Sequence, residues 1–372
     1  MTAGWLTKPF EDCIEKVTYT AKIQRKDFLD EGKFPIVSQE ESFINGYWND
    51  AADVFSVSTP VIVFGDHTKA LKYVDFDFVL GADGVKLLTP KGFLLPKFFY
   101  YQLQSVNLDS LGYARHYKLL RELELRYPPI PDQQRIVTLL DEAFDGIATA
   151  RANAEQNLQN ARAMFESHLQ SVFTQRGDGW VEKTLGNTYD VRDGTHDSPK
   201  YHDDGFPLIT SKNLKRDGLS FDDVKLINET DYRKINERSA VHKGDVLLAM
   251  IGTIGNPVVV EMEPEFAIKN VALLKVPSGQ SSHFLRYYLS SQFVVDKMES
   301  EAKGTTQKFV GLGYLRTFPI MAPSFAEQIR VVGELDALSG ETQRLESIYR
   351  SKLAALDDLK KSLLHQAFSG AL

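Results

Sequence analysis

The sequence predicts a mixed α/β (α+β) fold, in which two globular α/β domains are separated by two long antiparallel coiled-coil helices with pseudo-twofold symmetry. Three observations lead to this prediction. A segment near the middle of the chain recurs at its C-terminal end. Both copies have the apolar spacing of a long helix. The stretches before the two copies also correspond, and 372 residues are enough for two domains.

The two copies of the repeated segment contain "PDQQRIVTLLDEAF", from position 131, and "AEQIRVVGELDAL", from position 326. Identical residues recur at a constant offset of 195 positions. The identical pairs are Gln133/Gln328, Arg135/Arg330, Val137/Val332, Leu140/Leu335, Asp141/Asp336, Leu158/Leu353, Ser167/Ser362, Leu169/Leu364 and Phe173/Phe368. Because the offset holds without a gap, both segments are expected to form the same structure.

Apolar or small residues follow alternating steps of three and four along both copies, which is the seam of a coiled coil. They are Ile136, Leu140, Ala143, Ile147, Ala150, Ala154, Leu158, Ala161, Phe165 and Val172, then Val331, Leu335, Leu338, Leu345, Tyr349, Leu353, Leu356, Leu363 and Ala367. Prolines precede both copies and glycines follow them, as at helix ends. About 40 helical residues make a rod of roughly 60 Å. One apolar stripe on such a rod needs a partner, and the other copy is the nearest candidate.

The stretches before the helices correspond more loosely. "GWLTK" at 4–8 resembles "GWVEK" at 179–183, "FPIVS" at 34–38 resembles "FPLIT" at 206–210, and "VKLL" at 85–88 resembles "VALL" at 271–274. Short β-like runs broken by glycine surround them. The predicted divisions are a first domain at 1–126, a central helical region at 127–176, a second domain at 177–317 and a distal helical region at 318–372.

Composition and charge limit the class of protein. A hydrophobic fraction of 43% with 25% charged residues is typical of a globular protein, and no apolar run reaches membrane-spanning length. A single cysteine and the lack of a signal-like start favour the cytoplasm. The net charge of −7 alone disfavours nucleic-acid binding. Residues 1–130 and 176–325 are nearly neutral, with 15 basic against 17 acidic and 19 against 20, so any phosphate-binding surface must come from local clustering.

The layout resembles the DNA-specificity subunit of Type I restriction-modification systems. The helix start "PxxxEQxRIV" of that family is similar to residues 131–137 and 327–332, and its helix end is similar to 362–368. "DGTHDSPKYHDDGFPLITSKNL" at 193–214 and "GDVLLAMIGTIG" at 244–255 resemble recurring segments of its target-recognition domains. "FGDHTKALKYVDFDFVLGADGVKLL" at 64–88 resembles a second variety of that domain. The resemblance extends over essentially the whole chain.

The resemblance implies that each globular domain is a target-recognition domain for one half of an asymmetric bipartite site on double-stranded DNA. The helices would set the spacer between the half-sites and dock two modification (methyltransferase) subunits, through which restriction/translocase subunits join. It also implies that the chain is not an enzyme and holds no cofactor. S-adenosylmethionine, ATP and Mg are expected on the partner subunits.

Base recognition needs hydrogen-bonding side chains, supported by phosphate contacts that set the register. Polar and basic loop residues are the candidates for DNA contact. In the first domain they are Lys22, Arg25, Lys26, Ser38, Asn45, His67, Arg115, His116 and Lys118. In the second domain they are Thr195, His196, Lys200, Tyr201, Ser211, Lys212, Asn213, Thr253, Thr305, Gln307 and Lys308. The alternative for each of them is an ordinary solvated surface.

The sequence offers no catalytic or metal site. "YPPI" at 127–130 lacks the polar first residue of the Asn/Asp-Pro-Pro-aromatic loop of an amino-methyltransferase, and "IGTIG" at 251–255 lacks the spacing of a nucleotide-binding loop. His196 and His202 beside two aspartates have no further ligand pair, so no metal is expected. Two alternatives stay open: a standalone DNA methyltransferase or restriction enzyme, and a coiled-coil adaptor that does not bind DNA.

Overall fold

The computed structural model describes residues 4–81, 84–109, 112, 114–175, 177–252, 254–304 and 308–369. The chain folds into two compact units. The first consists of residues 1–155 and 350–372, and the second consists of residues 156–349. Each unit therefore contains one globular domain and part of both long helices.

Among its described residues, the first unit holds ten strands, two short α-helices, the start of the first long helix and the end of the second. They are β1 (Leu6–Pro9), β2 (Lys22–Ile23), β3 (Phe34–Val37), β4 (Gly46–Trp48), β5 (Val54–Phe55), β6 (Val61–Gly65), β7 (Leu71–Val74), β8 (Phe78–Gly81), β9 (Val85–Leu88), α1 (Pro96–Ser105), α2 (Tyr117–Arg121), β10 (Glu124–Tyr127) and α3 (Ile130–Gln175). Three sheets result: β1-β10, β2-β8-β3-β4 with β5 beside β8, and β7-β6-β9.

Over the part that the structure describes, the second unit holds eleven strands, five short α-helices, the start of the second long helix and the end of the first. They are β11 (Val181–Thr184), α4 (Leu185–Thr188), β12 (Asp190–Asp193), β13 (Phe206–Ile209), β14 (Leu214–Lys215), β15 (Gly218–Leu219), β16 (Lys225–Ile227), α5 (Glu229–Ser239), β17 (Val246–Ala249), β18 (Gly255–Val259), β19 (Ala267–Ile268), β20 (Val271–Lys275), α6 (Ser282–Ser290), α7 (Gln292–Glu301), α8 (Leu312–Thr317), β21 (Pro319–Ala322) and α9 (Phe325–Ser369). Its sheets are β11-β21, β12-β20-β17-β18, β16-β13-β19 and β14-β15.

The two units repeat one sheet plan. Strand β3 has the antiparallel neighbour β4 and the parallel neighbour β8, just as β13 has β16 and β19. Strand β6 lies between β7 and β9, just as β17 lies between β18 and β20. The predicted likeness of "FPIVS" to "FPLIT" and of "VKLL" to "VALL" is confirmed, because these segments form β3, β13, β9 and β20. The mixed α/β class with two long helices is also confirmed.

In the first unit, the C-terminal end of α9 packs on the globular domain. The ring of Phe98, in α1, lies 5.2 Å from that of Phe368 and 6.3 Å from that of Trp5, measured between centroids. Leu364 and Ala367 of α9 are buried in the same hydrophobic cluster. Aromatic burial of this kind dominates core energetics, so the end of α9 is an integral part of the first unit.

In the second unit, the C-terminal end of α3 takes the equivalent place. The ring of Phe284, in α6, lies 5.5 Å from Phe173 and 5.7 Å from Trp180. Leu169 joins the same cluster as Leu335 of α9. Leu169 and Phe173 lie outside the predicted seam but are almost fully buried, because they pack on the domain core as well as along the helix pair.

The helix segments run antiparallel in each unit. In the first unit, Lys360 lies over the ring of Phe144, and Arg151, further along α3, pairs with Asp357, further back along α9. In the second unit, Arg162 pairs with Glu346 while the later α3 residue Leu169 shares a core with the earlier α9 residue Leu335. The predicted antiparallel pairing is therefore confirmed within both units. Exposed ion pairs add little stability, so the apolar contacts hold the pair together.

A buried glutamine fastens the start of α3 to the first domain. The Gln133 side chain is fully buried. Its Oε1 accepts from the backbone N–H of Leu95 at 2.8 Å, and its Nε2 donates to the carbonyls of Phe93 and Pro128, each at 2.8 Å. One amide thus joins the loop before α1 to the loop before α3.

The start of α9 is fastened to the second domain in the same way. Gln328 is fully buried, and its Oε1 accepts from the backbone N–H of Ser281 at 2.9 Å. Its Nε2 donates to Oε1 of Gln280 at 2.9 Å and to the carbonyl of Pro323 at 3.1 Å. Pro128 and Pro323 are themselves 195 positions apart, so the offset of the repeat extends to the residues that receive the bond.

About two helical turns further along each long helix, a tyrosine–aspartate bond repeats this attachment. The hydroxyl of Tyr101 donates to Asp141 and that of Tyr287 donates to Asp336, both at 2.5 Å. Burial and the aspartate together raise the pKa of both tyrosines, that of Tyr287 to about 12. The hydroxyls therefore remain donors across the physiological pH range.

We expect Gln133→Met to lower the free energy of unfolding by about 2–3 kcal/mol, because methionine fills the space but leaves the buried N–H of Leu95 without an acceptor. Urea denaturation followed by tryptophan fluorescence measures the loss. Gln134→Met, at an exposed position of the same helix, is the matched control and is expected to change little. Equal stability of the two variants would contradict a structural role for the amide.

Candidate nucleic-acid interface

In the first unit, three parallel strands bring predicted site residues to one edge of a sheet. Strands β2 and β3 both run parallel to β8, so their carboxyl ends meet at the same edge. Residues 24–27 follow β2, and residues 38–45 follow β3. We call these two segments, with the turn at 65–69 and the segment 115–118 that are bonded to them, edge 1.

The loop at 38–45 is bonded to the turn at 65–69. The Thr68 hydroxyl donates to the carbonyl of Gln39 at 2.5 Å, and the backbone N–H of His67 donates to its Oε1 at 3.4 Å. Gly84 lies against the same side chain, where a Cβ atom would approach Oε1 to 2.5 Å, and its φ of +98° also favours glycine. The loop and the turn therefore form one rigid surface.

A buried lysine holds the loop at 38–45 from within. Lys72 is 4% exposed, and its Nζ donates to the carbonyls of Ser38 and Ser42 at 2.8 and 2.5 Å and to Oδ1 of Asn45 at 3.0 Å. Burial lowers the pKa of Lys72 to about 8, against the opposing effect of two nearby glutamates. At neutral pH the ammonium is mostly protonated, so it supplies three donors to the loop.

The segment 115–118 is attached through Asp66. The carbonyl of Asp66 accepts from the backbone N–H of His116 at 2.7 Å and lies 3.0 Å from its Nδ1. The Asp66 carboxylate accepts from the backbone N–H of Tyr117 at 2.7 Å. His116 is buried, whereas Arg115 and Lys118 on either side of it are exposed. The buried contacts thus present two cations at the surface.

The nine candidates of the first domain divide by exposure. Arg25, Lys26, Arg115 and Lys118 are exposed, and Lys22, Asn45 and His67 are half-buried. Lys22 donates to the carbonyl of Val85 and lies over the ring of Tyr19. Ser38 and His116 are buried, so in this structure their side chains do not lie at the surface of the edge.

In the second unit, the equivalent edge carries the predicted loops. Strand β13 runs parallel to β19, and Thr195 forms a parallel bridge with Lys269, immediately after β19. Residues 195–200, 210–213 and 269–270 therefore lie together, and we call them edge 2. Ser211 donates to the carbonyl of Asn270 at 3.4 Å, and Lys269 donates to Ser198 at 2.5 Å, which connects the three segments.

His196 lies between two oxygen acceptors. Its Nδ1 is 2.8 Å from Oδ1 of Asn270, and its Nε2 is 2.9 Å from Oδ2 of Asp193. Only the protonated imidazolium can donate from both nitrogens. The hydrogen bonds to Asn270 and then Asp193 raise the pKa of His196 above its ordinary value. The Asp193 carboxylate is buried and also accepts from Arg238 of α5.

The remaining candidates of the second domain also divide by exposure. Lys200, Tyr201, Lys212 and Lys308 are exposed, and Thr195 and Ser211 are half-buried. Asn213 is buried, and its amide bonds to Thr210 and to the carbonyl of Ser220. Its side chain therefore stabilises the loop and is not part of the exposed surface. Thr253, Thr305 and Gln307 lie outside the described residues.

Several residues of the two edges did not emerge from the sequence. Lys269, Asn270 and Arg238 reach edge 2, and Lys72 and Gln39 organise edge 1. Lys72 had a usable signal, because it occupies an inward position of the alternating run "LKYV". Asn270 had a weaker sequence signal, namely an asparagine that follows a short apolar run. Asparagine tolerates the left-handed backbone conformation, and Asn270 adopts it with a φ of +54°.

Within the described part of the chain, no three histidine, cysteine, aspartate or glutamate side chains are grouped so as to hold a metal ion. No helix in that part is both long and apolar enough to cross a membrane. The single cysteine, Cys13, is buried, and burial raises the pKa of its thiol, which favours a packing role.

Two modules of one topology, each with polar loops at one sheet edge and each built onto both long helices, define a two-module recognition protein. Residues 177–350 match the family model described as Type I restriction modification DNA specificity domain. The specificity subunit of the Escherichia coli Type I restriction enzyme EcoR124I/EcoR124II is 25% identical over 346 residues, which span 84% of this chain and 81% of the relative. The specificity subunit of the E. coli Type I restriction enzyme EcoBI is 22% identical over 312 residues, which span 74% of this chain and 65% of that relative.

Solved structures agree on the fold. A chain from a study of complex assembly and conformational transition in the type I R-M system has a TM-score of 0.74 at 17% identity, covering 100% of this chain and 99% of that one. The HsdS subunit from Thermoanaerobacter tengcongensis has a TM-score of 0.59 at 17% identity, covering 100% and 98%. The family model and both relatives thus confirm the resemblance to the specificity subunits of Type I restriction-modification systems that was found in the sequence.

We expect the contribution of His196 to stability to depend on pH. Its pKa is raised in the folded state, so the stabilisation is fully present below the unfolded pKa, about 6.5, and is lost as the pH rises through the folded value. His196→Gln should cost up to about 1 kcal/mol at pH 5.5, because the side chain is largely exposed, and less at pH 8.5. Urea denaturation at both pH values measures this. His365→Gln, on the exposed face of α9, is the control, and a pH-independent cost for His196→Gln would contradict the assignment.

We expect Lys72→Met to loosen the loop at 38–45, because the oxygen acceptors of Ser38, Ser42 and Asn45 lose their common donor. Limited digestion with a glutamate-specific protease measures the effect, since Glu40 and Glu41 lie in this loop. Cleavage there should be at least several-fold faster than in the wild-type protein. Lys33→Met, at an exposed position before β3, should leave the rate unchanged. An unaltered rate in the Lys72 variant would show that the loop holds its shape without the ammonium.

Proposed function

We propose that the chain is the non-catalytic DNA-recognition subunit of a Type I restriction-modification complex, and that each unit recognises one half of an asymmetric bipartite target. One observation carries the proposal: in both units most of the exposed candidate residues lie at the carboxyl edge of equivalent parallel strands. The family model matched by residues 177–350 describes a DNA specificity domain, and both relatives are named as specificity subunits.

The two edges offer the groups that duplex recognition uses. Arg25 and Lys26 of edge 1, and Lys200, Lys212 and Lys269 of edge 2, are cations for phosphate contacts, which set the register. Polar side chains between them are placed for base edges in the major groove. The loops differ in sequence and charge, since 38–45 holds two glutamates and 210–213 holds a lysine. Two different half-sites follow from that difference.

The long helices support a second part of the proposal, in which they set the spacer and dock two modification subunits. Helices α3 and α9 are continuous over 46 and 45 residues, and each contributes to both units. Large apolar side chains are exposed along them, which suits a docking surface. They include Leu139, Met164, Ile329, Ile348 and Leu359. Restriction/translocase subunits would join the complex through the modification subunits. S-adenosylmethionine would bind to the modification subunits, and ATP and Mg would likewise bind to partner subunits. The complex would act in the cytoplasm.

The direct test is selection of bound DNA by the chain assembled with modification subunits. A two-part motif is the expected result, and its absence would favour the coiled-coil adaptor. Methylation by the purified chain alone would instead favour a standalone enzyme.

We expect Lys212→Ala to weaken binding to every sequence alike and to reduce the salt dependence by about one phosphate contact. Titrations at several salt concentrations measure both. Lys243→Ala is the matched control, because Lys243 is exposed before β17, a strand of a different sheet from the β13 that Lys212 follows. A change of base preference without a change of salt slope would mean that Lys212 contacts a base.

We expect a shorter helix pair to accept a shorter spacer. Deleting residues 152–155 of α3 and the opposing residues 353–356 of α9 removes roughly 6 Å of helix. The preferred spacer should shrink by about two base pairs, given roughly 34 Å for a turn of the duplex, while both half-sites stay the same. Repeated motif selection measures this. Altered half-site sequences would show that the helices do more than set the distance.

A further inference from the structure

The loop at 38–45 has an apolar tip. Phe43 and Ile44 are adjacent, and their side chains are 46% and 40% exposed. The ring of Phe43 lies edge-on to that of Phe76, with centroids 6.0 Å apart, which gives it a defined direction. Two neighbouring large apolar side chains at the surface of a fixed loop suit contact with another molecule.

The backbone of the loop cannot easily rearrange to bury this tip. The Lys72 ammonium bonds to the carbonyls of Ser42 and Phe43, at 2.5 and 3.4 Å, and so fixes the peptide groups at the tip. The side-chain amide of Asn45, which follows the tip, bonds to the backbone that precedes it, accepting from the N–H of Ser38 and donating to the carbonyl of Ser42. An apolar surface held in place by several hydrogen bonds loses little entropy when it binds.

The charge of the loop decides which part of a duplex it fits. Residues 38–45 contain Glu40 and Glu41 but no lysine or arginine, so this loop is repelled by phosphates. Base edges in the major groove instead offer amino donors to carboxylates, and the thymine 5-methyl group is their apolar feature. Arg25 and Lys26, on the neighbouring segment of edge 1, are placed for the phosphates.

We propose that Phe43 and Ile44 contact thymine methyl groups in the half-site recognised by the first unit. This inference rests on the proposed function and names two residues that determine its specificity. Lys72 acts as a positioning residue, because it fixes the loop that presents them. The first half-site therefore contains at least one thymine that is distinguished from uracil.

The test uses the full chain assembled with its modification subunits and duplexes that carry the selected bipartite motif. Replacing the thymines of the first half-site with deoxyuridine removes only methyl groups, and we expect Kd to rise about threefold to tenfold. Phe43→Ala with Ile44→Ala should bind the thymine duplex more weakly by a similar factor and should no longer distinguish it from the uracil duplex. Any uracil effect in the second half-site should be the same in the wild-type and the variant.

Leu6→Ala is the matched control, since Leu6 is exposed in the first unit but lies on a different sheet. It should keep the full uracil effect, and urea denaturation confirms that each variant is folded. A first half-site without thymine, or equal affinity of the wild-type complex for both duplexes, would overturn the inference while leaving bipartite recognition intact. Loss of modification-subunit binding in the tip variant, with the uracil effect preserved, would overturn it in favour of a protein contact. Failure to select any two-part motif would reject the proposed function itself.

Discussion

A buried amide at the start of each long helix is the contact on which the rest of the structure depends. Gln133 and Gln328 each bind the loop before a short helix of their domain and the proline-containing loop before their own long helix. Buried amides without partners are costly, so each bond set fixes the direction in which a helix leaves its domain. The direction of the helix in turn determines which residues of the other helix can pack beside it. The pairing of the two helices within a unit therefore depends on this local geometry.

A chain with a negative net charge can still present a surface for DNA. The net charge counts every ionisable residue, whereas the charge of a surface depends on which of those residues are exposed there. In edge 1, Lys72 is buried and the neighbouring cations Arg25 and Lys26 are exposed. In edge 2, Asp193 is buried while Arg238 and His196 remain at the surface. The net charge of −7 therefore describes the solubility of the whole molecule better than the potential at either edge.

The sequence predicted the helices, their antiparallel pairing and the matching strands, because these features depend on periodic burial within continuous segments. It predicted the edge loops as groups but not their inner contacts. Lys72 and Asn270 bond to residues tens of positions away, and only the pairing of strands brings those residues together. The same limit explains Ser38 and Asn213, whose polar side chains are turned inward by their own loops. The polar residues of these segments predicted a loop, but which of their side chains are buried depended on the tertiary structure.

The two edges solve one structural problem with opposite charges. In edge 1, the loop at 38–45 is bonded to the buried ammonium of Lys72, whereas in edge 2, His196 is bonded to the buried carboxylate of Asp193, which also accepts from the guanidinium of Arg238. A buried charge is tolerated only when it is fully bonded, so either arrangement holds its loops rigidly. The topology thus constrains where the loops lie but leaves their chemistry free. Two domains with the same helix attachments can therefore differ completely in the surface that they present.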